Sequence, residues 1–168
     1  MSDAVLRDLS KWLAATPLSH TIQTDGWIIP TLQTIHILAV AVLFSSAILV
    51  DLRFWGVLQR DAPLAEVAHR FLPAIWPVLV ILLITGGLLI VGEPRRSLLN
   101  TTFYLKMTLL VVAVVLTAAL QWSLSSAPEF WDKSRGRRIA GGLVATLSIL
   151  VWSGILFAGR WIAYTQNG

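Results

Sequence analysis

Two ionisable residues sit where an apolar chain should not tolerate them. His36 lies in TIHILAVAVLFSSAILV, part of a run with no charge from Trp27 to Val50, and Lys106 lies in NTTFYLKMTLLVVAVVL. An ionisable side chain inside such a run is costly to bury and marks a functional site by default. A neutral imidazole is an ordinary donor to haem iron, so His36 is a candidate axial ligand of a b-type haem. The structural alternative is a neutral histidine hydrogen-bonded to a neighbouring helix. Lys106 can act as a second ligand or as the partner of an anionic group; its alternative is snorkelling to the headgroups. A bis-histidine site is not offered, because His69 falls at the opposite membrane face and His20 precedes the first span.

Depth along the spans brings further residues to the same level. At about 1.5 Å per residue, His36 lies roughly 13 Å from one membrane face, Lys106 and Gly86 roughly 9 Å and Trp152 roughly 12 Å. This layer predicts a pocket for a planar cofactor. Gly86 and Gly87 give room, Trp152 packs on the ring, and Gln33 stands one turn before His36. Arg95 and Arg96 border the layer, as propionate partners or as a solvated loop. Asp51 and Arg53, at the far end of the first span, are expected to form an interfacial pair. There is no cysteine, which removes thiolate metal sites and disulfides. No metal-ligand spacing, nucleophile elbow, phosphate loop or paired catalytic carboxylates occurs.

The elements that must hold these residues follow from composition and periodicity. Of 168 residues, 56% are hydrophobic and 13% charged, against about 25% charged in a soluble domain. Mean hydropathy is +0.74. Too little charge remains to cover a water-facing surface, so the chain reads as a single all-α membrane domain. Four spans are expected at about 27–56, 71–92, 99–123 and 139–163. An amphipathic helix at about 3–15 either lies in the interface plane or caps the bundle. Pro17 ends it, and 18–26 is expected to be a polar link. No cleavable signal is expected, because the first residues lack an apolar core behind a basic start.

Small and polar residues recur on single faces: Gln33, His36, Ala47 and Asp51 in the first span; Thr102, Lys106, Ala113, Thr117 and Gln121 in the third; Gly141, Ala145, Ser148, Trp152 and Gly159 in the fourth. They predict a polar seam inside the bundle. The net charge of +4 comes from residues in short loops, which fits membrane orientation rather than nucleic-acid binding. The 1–2 and 3–4 loops and adjoining span ends hold Arg53, Arg60, Arg70, Lys133, Arg135, Arg137 and Arg138. The terminal side holds Arg7, Lys11, Arg95, Arg96 and Arg160. The excess predicts cytoplasmic loops and periplasmic termini.

Five segments together resemble an uncharacterised family of small bacterial inner-membrane proteins, a domain of unknown function. They are KWLAATPLSHTIQ, TIHILAVAVLFSSAILVDLRFWG, FLPAIWPVLVILLITGGLLI, NTTFYLKMTLL and LVWSGILFAGRWIAY. The resemblance implies four membrane helices and no assigned activity. A more distant likeness, carried by His36 in TIHILAVAVLF and Lys106 in FYLKMTLL, is to the bacterial membrane protoporphyrinogen oxidases and the copper-resistance D-type proteins. In the oxidase group the corresponding pair is linked to haem b. That implies a haem site at His36 and Lys106 and does not carry over the oxidase activity, since DLRFWG replaces the basic, histidine-rich end of that group's first span.

The expectation is therefore a four-span inner-membrane bundle holding haem b or a similar planar cofactor in a redox role, with the lipid bilayer and a membrane redox partner or a second copy as its company. The competing functions are an accessory subunit of a larger membrane complex and a small oligomeric transporter using Gln33, His36, Lys106 and Gln121 as a polar path.

Overall fold

The structure of the chain, a computed structural model, describes residues 3–58, 61, 63–131 and 133–162. Arg60 and the expected end of the fourth span at 163 lie outside the described residues. Among the described residues there are seven helices and no strand: α1 Asp3–Ala14, α2 Pro17–Thr24, α3 Ile28–Phe54, α4 Leu64–Gly92, α5 Pro94–Leu98, α6 Thr101–Ser126 and α7 Arg135–Trp161. Helices α3, α4, α6 and α7 are long and apolar enough to cross a membrane. At 1.5 Å per residue each extends roughly 40 Å, more than the roughly 30 Å of hydrocarbon in a bilayer. Their ends therefore reach the headgroups, where Trp27, Trp55, Trp122 and Trp161 stand exposed as interface anchors.

Each long helix packs on two others. Contacts link α3 with α4, α4 with α6, α6 with α7, and α7 with α3. This is a closed up-down-up-down ring in which every neighbour is antiparallel and α3 lies diagonal to α6. The centre is apolar: Leu43, Ala47, Leu79, Ala113, Val151 and Trp152 belong to one buried cluster. Close approach of α3 and α7 depends on Gly141, where an added Cβ would stand 2.6 Å from Phe54 Cδ1.

Several boundaries differ from the sequence expectation, for local reasons. Pro17 begins a helix instead of leaving a polar link, because it occupies the first turn of α2 while the Thr16 hydroxyl accepts from Ser19 N at 3.2 Å. A first-turn proline loses no helical hydrogen bond. α2 is then seated on the bundle: Ser19 Oγ donates to Val91 O at 2.7 Å and Ile22 is buried. α4 starts seven residues before the expected 71, after Pro63, and buries Leu64, Val67 and Ala68. It runs through Pro73 and Pro77 without interruption. α7 starts at Arg135, because Ser134 accepts from Arg137 N at 3.3 Å. α1 packs against α5, burying Leu6 and Ser10 while Val5, Leu9 and Trp12 stay exposed. It thus caps the terminal end of the bundle and still offers an apolar stripe to the interface.

Candidate functional site at the terminal end of the bundle

His36 stands eight residues into α3, Thr85 seven before the end of α4, and Lys106 five into α6. All three lie roughly 7–12 Å from the terminal end by helix rise. Antiparallel packing of α3 on α4 brings His36 Nδ1 to 2.8 Å from Thr85 Oγ1. The Thr85 hydroxyl also lies 2.8 Å from Ile81 O. When its one proton is donated there, its oxygen accepts from the imidazole, which puts the ring proton on Nδ1 and leaves Nε2 its lone pair. Gly86 lies against the same ring: a Cβ there would stand 3.4 Å from His36 Cε1.

Lys106 is half-buried and reaches toward α7, where its Nζ lies 3.6 Å from the position a Gly159 Cβ would take. It has no ion pair among the described residues. The site thus joins an imidazole, a lysine without a carboxylate partner among the described residues, and two glycines on opposite walls. Such a set can donate one lone pair to a metal centre and balance one negative charge.

The other expected members are placed differently. Gly87 is exposed, with nothing within 4 Å of a Cβ; successive helical residues are about 100° apart, so only one of the glycine pair can meet His36. Gln33 is exposed on α3. Trp152 is 5% exposed inside the apolar core and has no open face for a ring to pack on. Arg96 is held by Glu93 at 2.8 Å. Asp51 lies inside the bundle instead of at its surface: it is 2% exposed, its Oδ2 has no hydrogen-bond partner among the described residues, and Ser148 lies beside it. Gln121 accepts from Trp76 Nε1 at 2.7 Å near the loop end. The polar seam is therefore split by the apolar middle layer.

Thr85 was not anticipated. Thr85 was open to detection as the lone hydroxyl in VLVILLITGGLLIV. Gly159 was placed on the inward face of its span, but nothing in the sequence pairs it with Lys106.

The chain is matched over residues 9–165 by the model of a family of unknown function, DUF6644, and belongs to that family. No curated protein and no solved structure matches it. The chain is a small multi-pass membrane protein with four membrane-crossing helices.

Proposed function

We propose that this member of the family binds haem b, or a planar cofactor like it, in a redox role in the bacterial inner membrane, with His36 as the axial ligand. The observation that supports this most is the hydrogen bond between His36 Nδ1 and Thr85 Oγ1. A ligating histidine almost always gives its other ring N–H to an oxygen, which fixes the tautomer and aims the free nitrogen. Among the described residues no group of three His, Cys, Asp or Glu side chains could hold a metal ion. One lone imidazole suits a metal that arrives in its own macrocycle, since the ring supplies the equatorial donors. Such a group, when bound, supplies one-electron transfer.

The residues have separate roles. His36 Nε2 would hold the iron, with Thr85 keeping the ring in the donating tautomer. Gly86 keeps the imidazole edge clear of a side chain. Lys106 would neutralise an anionic substituent such as a propionate or serve as a second ligand. The loop-bearing end faces the cytoplasm and the termini face the periplasm, in keeping with the basic excess at that end.

The test is an absorption spectrum of the detergent-purified protein, oxidised and then reduced with dithionite. A Soret band with sharpened reduced bands, near equimolar with the chain and lost in His36→Ala, is the expected result. A visible region left featureless even after haem is added overturns the proposal.

A further inference from the structure

A second site lies at the other end of the molecule, roughly 25 Å from His36 by helix rise. There a cavity of about 690 Å³ is lined by Arg53, Trp55, Trp131, Arg135, Arg138 and Ile139, among others. Its volume is that of an ordinary ligand pocket. No acidic side chain is among the described residues that line it. Arg135 and Arg138 are exposed and have no ion pair among the described residues. The first turn of α7, which carries Arg135 and Arg138, adds the positive end of a 27-residue helix to the same concavity.

The walls are pinned. Trp55 Nε1 donates to Gly142 O at 3.1 Å. Trp131 Nε1 donates to Ser123 Oγ at 3.2 Å, and its ring meets Phe54 edge-on at 5.6 Å. Gly56, with φ 67°, turns the chain out of α3 at the rim, a conformation that favours glycine. From the mouth an apolar stripe runs into the membrane along α7: Ile139, Leu143, Leu147 and Leu150 are all exposed and share one helical face.

We propose that this pocket binds the phosphate of an anionic phospholipid. Arg135 and Arg138 take the headgroup, as guanidinium groups suit phosphate oxygens. One acyl chain lies along Ile139, Leu143, Leu147 and Leu150. Basic pockets between membrane helices are recognised lipid-headgroup sites, and the apolar stripe is the feature that a free anion would not use.

The test is native mass spectrometry of the detergent-purified full chain, titrated with dioleoyl phosphatidylglycerol or dioleoyl phosphatidylcholine. The wild type is expected to bind the anionic lipid at least about tenfold more tightly, since each of two basic residues near a charged headgroup contributes a factor of roughly five. Arg135→Gln with Arg138→Gln should abolish that preference. Lys133→Gln with Arg137→Gln removes the same charge from the same end but outside the pocket, and should keep it. Equal binding of the two lipids by the wild type overturns the proposal without recourse to any variant. Equal loss in both double variants also overturns it, because it means diffuse surface attraction. Displacement of phosphatidylglycerol by millimolar inorganic phosphate overturns it in favour of a free-anion site.

Discussion

The proposed role of His36 turns on Thr85. With the hydroxyl proton on Ile81 O, Thr85 accepts from the ring and Nε2 is left as the donor. Thr85→Val keeps the shape and removes the acceptor. Loss of an outer-shell partner of this kind typically weakens metal affinity 10–100-fold. Haem retained per chain after purification should therefore fall in Thr85→Val and hold in Thr85→Ser; equal content in both would mean that the tautomer is not fixed here. Lys106 makes a prediction that needs no cofactor. A half-buried ammonium without an ion-pair partner among the described residues is a cost to the fold. Lys106→Met, which keeps the length and loses the charge, is expected to raise stability by about 1 kcal/mol, measured as a higher unfolding midpoint in detergent. A lower midpoint would mean that the lysine supports the bundle. The level at which His36, Gly86 and Lys106 meet was legible from the sequence, since helix rise alone sets depth. Which way each helix turns was not, and this separates Gly86 from Gly87 and places Trp152 in the core.

The helices themselves were legible where hydrophobic length decides and less so where single residues start a turn. All four spans were foreseen. Their starts at Leu64 and Arg135 were missed, because Pro63 and Ser134 are helix starters hidden in polar loops. Pro17 was misjudged because a proline ends one helix and begins another with equal ease. A close contact between elements lies where α7 crosses the end of α3. A Cβ at Gly141 would come within 2.6–2.7 Å of two Phe54 ring atoms and 3.3 Å of Trp131 Cε3. Phe54 cannot swing aside freely, since its ring is met edge-on by Trp131. Gly141→Val should cost about 1–3 kcal/mol, the usual range for overpacking, and Phe54→Leu should recover part of it. A thermal melt of the single and double variants measures both. An unchanged midpoint in Gly141→Val would mean that α3 and α7 separate without penalty.

Across the whole molecule the ring of antiparallel helices sorts polarity into two ends around an apolar middle. His36, Thr85 and Lys106 share one end; Asp51, the Trp76–Gln121 pair and the arginine pocket share the other. Buried Leu43, Leu79 and Val151 separate them. A transport path through the seam would have to cross that layer, whereas a cofactor site and a lipid site need no connection. The same sorting concentrates charge. By sequence, Arg53, Arg60, Arg70, Lys133, Arg135, Arg137 and Arg138 fall in or beside the 1–2 and 3–4 loops, against Arg7, Lys11, Arg95, Arg96 and Arg160 on the terminal side. In the orientation proposed above the more basic end would stay in the cytoplasm, which would also set the arginine pocket in the leaflet that carries anionic lipid. A C-terminal alkaline phosphatase fusion should then be active and a C-terminal green fluorescent protein fusion dark. The margin is two residues, so Arg135→Gln with Arg138→Gln leaves both ends equally basic. That variant should give a mixed population, with part of the fluorescent fusion lit and part of the phosphatase activity lost. A bright fluorescent fusion on the unaltered chain would reverse the orientation and put the arginine pocket on the periplasmic face.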